Sequence, residues 1–281
     1  MAVQTILERI REALEAAGDA LAPFVPGAVA SCEKSGGRGP VTEADHAVNC
    51  VLHQTLLREG EGWLSEESAD NLARLDKAHL WIVDPLDGTK EFIAGMPEWC
   101  VSIAWVERGR AVAGGIYNPA TQELFLGSLA AGVTLNGLPV KASAKTRLAG
   151  AQVLASRSEV KRGEWAAFAT TPFSIRPTGS VAYKLALVAA GRADATWTLT
   201  PKNEWDVAAG VALIESAGGF TRSLSGPPLT FNRPSPRLPG LIAGGLGLED
   251  EIFHFLTSRV RPRGRRIPAS LRRPRLAICD L

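Results

Sequence analysis

No stretch of this 281-residue chain reaches the ~18 consecutive apolar residues that a membrane-spanning helix needs. Helical membrane proteins are therefore excluded. The N-terminal stretch carries Glu8, Arg9, Arg11, Glu12 and Glu15, so the apolar core of a secretory signal is missing and a cytoplasmic protein is expected. Cysteine is scarce. Cys32, Cys50, Cys100 and Cys279 have neither metal-ligand nor disulfide-framework spacing, which leaves reduced, mostly buried thiols as the expectation. Glycine-rich nucleotide motifs are absent too, because Gly36-Gly37-Arg38-Gly39 and Gly244-Gly245-Leu246-Gly247 match neither the dinucleotide nor the P-loop pattern. There is no internal repeat. What is present is 46% hydrophobic residues with a mean hydropathy of +0.04, the composition of a soluble globular protein. The length suffices for a large core, in one big domain or two closely packed halves.

The net charge of +2 hides an asymmetry. Eight arginines lie between Arg259 and Arg275, against the single acid Asp280. With that tail's +7 taken away, the body carries about −5. Pro262, Gly264, Pro268 and Pro274 interrupt the tail, so residues 259–281 read as a disordered basic extension. A solvated extension is the favoured reading, and contact with nucleic acid the less favoured one.

Apolar positions at helical spacing (Ile6, Ile10, Leu14, Leu21) predict an amphipathic helix over residues 4–22, and Val48, Val51, Leu52 and Leu56 predict a second after Thr42. Between 99 and 126 the period shortens. Val101, Ile103 and Trp105, then Val112 and Ile116, then Leu124 and Leu126 read as an antiparallel meander. Past residue 149 strands and helices alternate: a strand at 153–155, a helix at 181–190 capped by Ser180, and a strand at 193–197. A helix at 205–217 stopped by Gly218-Gly219, a strand at 241–243 and a helix at 248–256 follow. This predicts an antiparallel-rich α+β half over 1–148 and an α/β half over 149–258.

Asp84-Pro85-Leu86-Asp87-Gly88-Thr89 is the most informative stretch. Trp81-Ile82-Val83 reads as a short buried strand, and Pro85 and Gly88 force a turn at its end. Asp84 and Asp87 should then project toward one point. Two carboxylates a few ångströms apart repel by several kcal/mol at an effective dielectric of ~20, and a shared cation relieves this. A helical turn starting after Thr89 leaves the Gly88 and Thr89 amides free for an anion. Adjoining metal and phosphate sites suggest a phosphatase. Taken alone, the same residues could form an ordinary solvated turn. The acids elsewhere have bland readings as well: Asp45 and Asp206 as helix-start acids stabilised by the dipole, and Glu66-Glu67 as an exposed acidic turn.

Two long segments lower the weight of those bland readings. Trp81-Ile-Val-Asp-Pro-Leu-Asp-Gly-Thr-Lys-Glu-Phe92 and Trp205-Asp-Val-Ala-Ala-Gly-Val-Ala-Leu-Ile-Glu-Ser-Ala-Gly-Gly219, in that order and with Glu66-Glu67 upstream, closely match a known pattern. Over roughly residues 30 to 245 the chain resembles the inositol monophosphatase superfamily of Mg²⁺-dependent, lithium-sensitive phosphatases. The resemblance implies a layered α/β/α/β/α sandwich of the inositol monophosphatase and fructose-bisphosphatase type, with the site between the halves. It implies that Glu66, Asp84 and the Leu86 carbonyl hold one Mg²⁺ and that Asp84, Asp87 and Asp206 hold a second, with Glu66 helping to hold a third. All-oxygen ligands without His or Cys suit such a hard cation. It further implies a metal-activated water as nucleophile, oriented and deprotonated by Thr89 paired with Asp45, and a phosphate held by the Gly88 and Thr89 amides.

Within the superfamily, Asp87-Gly-Thr-Lys-Glu-Phe92 and Pro40-Val-Thr-Glu-Ala-Asp45 are most similar to the 3'(2'),5'-bisphosphate nucleotidase branch, which implies removal of the 3'-phosphate of 3'-phosphoadenosine 5'-phosphate and a place in sulfur assimilation. Inositol-preferring members have an acid seven residues before the second-motif Asp; here that position is Leu199. The nucleotidase branch often carries an Arg near Thr198, which is also missing, so Lys184, Lys202 or Lys90 are the candidates for a second phosphate. Gly179 and Ser180, opening the helix that carries Lys184, complete the expected substrate site. Alternatives are an inositol-1-phosphate or broad sugar-phosphate phosphatase and, less favoured, an RNA-associated regulatory protein on the same fold. The expected partners are a small phosphorylated substrate and, as an option, a second copy of the chain.

Overall fold

The structure, a computed structural model, describes residues 3–34 and 39–259. Helix α1 (Val3–Leu21) buries Ile6, Ile10, Leu14 and Leu21, as the helical spacing requires. A short antiparallel ribbon of β1 (Ser31–Glu33) and β2 (Pro40–Thr42) leads into α2 (Glu43–Leu56), which packs beside α1. Then come β3 (Gly62–Ser65), β4 (His79–Asp87), the short helix α3 (Thr89–Ile93), β5 (Cys100–Glu107), β6 (Arg110–Asn118), β7 (Glu123–Ser128), β8 (Gly132–Leu135) and β9 (Leu138–Val140). Strands β3 to β9 form a seven-stranded sheet in chain order, antiparallel except for the parallel pair β3/β4.

The second half runs β10 (Gln152–Ser156), α4 (Arg157–Lys161), β11 (Ser174–Thr178), α5 (Val181–Ala189), β12 (Ala195–Thr198), β13 (Lys202–Asn203) and α6 (Glu204–Ser216). It closes with β14 (Gly219–Ser223), β15 (Arg237–Leu238), β16 (Leu241–Gly245) and α7 (Glu249–Arg259). A five-stranded sheet has the order β11-β10-β12-β16-β14; β10 pairs in parallel with β11 and β12, and β16 antiparallel with β12 and β14.

Alternation along the strands sets the layers. On β4, Trp81 and Val83 pack toward α1 and α2, while Leu80 and Ile82 pack toward α5 and α6. On the second sheet, Leu154 and Ala243 join the same α5/α6 layer, and Val153, Ala155, Trp197 and Ile242 face α7 across Trp165, Phe168 and Phe173. The order is helices, seven-stranded sheet, helices, five-stranded sheet, helix: the α/β/α/β/α sandwich expected. Helices α5 and α6 touch closely enough that a Cβ at Gly210 would sit 2.3 Å from Leu185 Cβ.

Two expectations need correction. The strand at 81–83 does not end at Pro85. Strand β4 continues to Asp87 through an irregularity between Asp84 and Asp87, where the pairing shifts from Asp84 opposite Ser102 to Asp87 opposite Cys100. Proline, lacking an amide, fits a bulge of this kind. The chain turns at Gly88, whose φ of +100° is in the left-handed region and whose Cβ would lie 2.8 Å from the Glu98 carbonyl oxygen. Cys32 and Cys50 are exposed, and of the described thiols only Cys100 is buried. The basic tail from residue 260 onward lies outside the described residues; Arg259 closes α7. No helix among the described residues is long and apolar enough to cross a membrane.

Candidate metal and phosphate site

Three helix starts deliver the acids. Asp45 is the third residue of α2, and its Oδ2 accepts the Thr42 amide at 2.8 Å and the Thr42 hydroxyl at 2.7 Å, closing a capping box. Asp206 occupies the same place in α6, where its Oδ2 accepts the Asn203 amide at 2.8 Å. Asp87 Oδ2 accepts the Ala182 amide at 2.5 Å and the Ser180 hydroxyl at 2.7 Å, at the start of α5. Each helix N-terminus contributes partial positive charge toward the acids it meets. Asp84 comes from the bulge of β4. Its Oδ1 accepts the Leu86 amide at 3.1 Å, while Oδ2 is buried without a protein partner.

Glu66, Asp84 and Asp206 each offer a carboxylate oxygen within 4.8 Å of the others. The electrostatics reflect that crowding. Burial, and then the charges of Glu66, Asp87, Asp206 and Asp45, raise the Asp84 pKa well above the usual carboxylate range. Burial and the neighbouring Asp87 and Glu66 push Asp206 up to about 8. Asp87 and Glu66 are also raised, chiefly by burial, against the opposing hydrogen bonds at α5 for Asp87 and the Lys34 ammonium for Glu66. An unpartnered buried carboxylate oxygen amid other acids, all hard oxygen donors, fits Mg²⁺. Asp87 belongs to the same cleft, although the three-oxygen set does not include it.

Thr89 opens α3, and its hydroxyl lies 3.1 Å from Asp45 Oδ1 and 3.0 Å from the Leu86 carbonyl oxygen. The sequence separation of Asp45 and Thr89 is thus closed in space. Gly88 and Thr89 stand where the first amides of a helix have no intrahelical acceptor. The cleft of about 320 Å³ is lined by Glu66, Asp87, Gly88, Thr89, Lys184 and Asp206, among others.

The expected substrate residues divide. Lys184 and Lys202 both line the cleft. Lys184 is 5% exposed, and burial, with the Lys202 charge second, lowers its pKa to about 8. Lys202 instead donates to Glu159 Oε1 at 3.2 Å and the Thr200 hydroxyl at 3.3 Å. The Gly179 amide is engaged by Glu98 Oε2 at 2.6 Å, and Ser180 serves Asp87 and caps α5 through the Tyr183 amide. Lys90 is exposed at the cleft edge, and Leu199, 40% exposed, does not line it.

Three residues at the site were not singled out from the sequence. Lys34 binds Glu66 and Glu67; Glu98 holds the Gly179 amide and the Arg157 guanidinium; Glu159 is buried beneath the cleft. Each acts across a long sequence separation with no motif around it.

Comparison with known proteins finds relatives over most of the chain. The inositol monophosphatase family model matches residues 2–247. An inositol-1-monophosphatase of Mesorhizobium japonicum is 36% identical over 201 residues, 67% of this chain and 75% of that protein. The crystal structure of the extragenic suppressor protein suhB from Bartonella henselae superimposes with a TM-score of 0.75 at 30% identity, covering 88% of this chain and 96% of that one. CysQ from Bacteroides thetaiotaomicron, a bacterial member of the same family, gives a TM-score of 0.71 at 28% identity over 87% of this chain and 98% of that one.

Proposed function

The chain belongs to the inositol monophosphatase family of phosphatases, and from that premise we propose that it is a Mg²⁺-dependent phosphomonoesterase whose preferred substrate carries a second anionic group, 3'-phosphoadenosine 5'-phosphate being the leading candidate. Glu66, Asp84, the Leu86 carbonyl, Asp87 and Asp206 are the residues to hold the metal. Bound Mg²⁺ would supply positive charge to the phosphoryl oxygens and lower the pKa of the attacking water. The remaining work falls to side chains of the protein. A hydroxyl has one proton, so Thr89 donates to Asp45 or to the Leu86 carbonyl but not both at once. Were the Leu86 carbonyl to hold the metal, the Thr89 proton would go to Asp45, and the Thr89 oxygen would be left to accept from the attacking water. The amides of Gly88 and Thr89 orient the phosphate.

The observation that carries the substrate class is Lys184. Its ammonium lies in the cleft, almost fully buried, with no hydrogen-bonded acid among the described residues. The charges of Asp87, Glu159 and Glu91 partly offset the burial of this cation, and an anion of the substrate would add to them. Leu199 stands at the position where the resemblance places an acid in inositol-preferring members; it lies outside the cleft lining and its side chain supplies no acceptor. A second reading, inositol 1-phosphate as substrate, is favoured by the 36% identity to a protein named inositol-1-monophosphatase.

The test is direct competition between the two substrates at equal concentration, with Lys184→Met alongside. A charge-assisted contact contributes about 1.5–3 kcal/mol, so the variant should lose roughly ten- to over a hundred-fold in kcat/KM on the bisphosphate and little on inositol 1-phosphate. A wild-type preference for inositol 1-phosphate, unaltered by Lys184→Met, would select the second reading.

A further inference from the structure

Buried hydrogen bonds outside the cleft tie the start of α6 to the loop that joins β3 and β4. Arg74 lies in a short helical turn of that loop (Ala73–Asp76) and is 2% exposed. Its guanidinium grips Asp70 through Nε and Nη2. It also donates from Nη1 to Asn232 Oδ1 at 2.8 Å and from Nη2 to the Arg233 carbonyl at 2.9 Å. Asn232 returns a bond from Nδ2 to the Arg74 carbonyl at 3.0 Å. Residues 229–233 belong to the connection between β14 and β15. Leu229 and Phe231 are buried in the layer between the two sheets, and the Phe231 amide donates to the Gly109 carbonyl of the β5–β6 turn at 2.9 Å. On its other side the same segment meets α6. The Asn232 amide donates to Glu204 Oε2 at 2.8 Å and the Arg233 amide to Glu204 Oε1 at 3.0 Å. Glu204 is fully buried and is the first residue of α6.

A carboxylate whose two oxygens are taken by successive main-chain amides is held in both position and orientation, and the planar fork of an arginine fixes its partners likewise. Asn232 has a φ of +63°, in the left-handed region that asparagine enters more readily than most residues. The bonds therefore run from the β3–β4 loop through Arg74 and Asn232 to Glu204, and end two residues before Asp206. Glu66 follows β3 and Asp84 lies on β4, the two strands that this loop joins. We propose that Arg74, Asn232 and Glu204 form a positioning clasp: it sets the first turn of α6, and with it the Asp206 carboxylate, against the strands that present Glu66 and Asp84, and divalent-cation affinity depends on it. The inference rests on the reading of Asp206 as a metal ligand. None of the three residues lines the cleft, so each acts only through where Asp206 stands.

Substituting Glu204 would alter the charge two residues from Asp206, so the clasp is cut at its far end. Asn232→Gly removes the side chain that joins the two sides and keeps a backbone suited to the left-handed region. Arg74→Met removes the guanidinium. Each should weaken Mg²⁺ binding about three- to tenfold, the scale of one buried hydrogen bond lost, and the double variant should lose little more than either single. Leu256→Ala, a core truncation in α7 on the far side of the five-stranded sheet, is the control for instability alone and should keep the wild-type affinity. The measurement is calorimetric titration of the full-length, chelator-stripped protein with Mg²⁺, repeated with Mn²⁺ by electron paramagnetic resonance, alongside the melting temperature of each metal-free variant. Asp206→Asn tests the premise. If it sharply weakens binding while Asn232→Gly binds as tightly as wild type, the clasp role is overturned and the metal site stands. If Leu256→Ala weakens binding as much as Asn232→Gly does, the loss reflects instability and the positioning role is likewise overturned. If binding is unaltered by Asp206→Asn, the ions bind elsewhere and the premise is overturned with the inference.

Discussion

Glu159→Gln should destabilise the protein in a pH-dependent way. The carboxylate is 2% exposed; Oε1 accepts from the Thr198 and Thr200 hydroxyls and the Lys202 ammonium, and Oε2 accepts the Trp165 indole N–H at 3.0 Å. Burial opposes its ionisation, but these donors and the Lys202 charge outweigh burial and lower the pKa from 4.5 to about 2. A folded-state pKa below the unfolded one means stability that is present above about pH 4.5 and lost as the pH falls through 2. At about 1.4 kcal/mol per pKa unit, the shift corresponds to about 3 kcal/mol, and about 2 kcal/mol after allowing for solvent screening from the cleft. Glutamine keeps one carbonyl oxygen for the hydroxyls and Lys202, but turns its amide N–H₂ toward the Trp165 N–H. That leaves a buried donor unpaired, a further cost of about 1–3 kcal/mol. Urea unfolding at pH 7 should show the whole difference between wild type and variant. At pH 3, where the unfolded-state carboxyl is already protonated, the difference should shrink by about 1–2 kcal/mol. Effects of the other acids are common to both proteins and cancel. A gap of equal size at pH 7 and pH 3 would refute the argument.

Asp84→Asn should abolish phosphatase activity yet leave the metal-free protein as stable as wild type or more so, since it removes a charge from a crowded cluster; turnover within a few-fold of wild type at saturating Mg²⁺ would contradict the ligand assignment. Thr89→Ala and Asp45→Asn should each lower kcat strongly, and the double variant should lose little more than either single, because the two share one hydrogen bond. Fully multiplicative losses would separate them. Gly88→Ala should impair folding and activity together, by about 1–3 kcal/mol in urea unfolding, because its backbone is left-handed and its Cβ meets the Glu98 carbonyl; an unchanged midpoint would show that the turn can relax.

The parts of the site that were legible in the sequence are those whose signal is local. Thr42 before α2 and Ser180 before α5 mark the helix starts that deliver Asp45 and the partners of Asp87, and the helix expected at 205–217 puts Asp206 in the first turn of α6. The motif at 84–89 contains its own turn. What escaped has its cause far along the chain. Strand β4 runs on through Pro85 because β5 supplies partners on both sides of the bulge, which no periodicity over 81–87 reveals. Lys34 meets Glu66 from 32 residues away, and Glu98 meets the Gly179 amide from 81. Glu159 stands between charged Arg157 and Lys161, and only the convergence of Trp165, Thr198 and Lys202 makes it an interior residue. Short edge strands such as β9 and β11 have too few residues for alternation to show.

The backbone amides that steady the three aspartates would also bear on which ions suit them. Asp84 spends Oδ1 on the Leu86 amide, Asp87 spends Oδ2 on the Ala182 amide, and Asp206 spends Oδ2 on the Asn203 amide. Each therefore keeps one oxygen clear of these amides. Mg²⁺, small and strict about octahedral geometry, is satisfied by single oxygens completed with water. Ca²⁺ prefers more ligands and draws them from carboxylates that can bind through both oxygens. If these aspartates hold Mg²⁺, a preference for it over the larger ion would lean on main-chain N–H groups as well as on the ligating side chains.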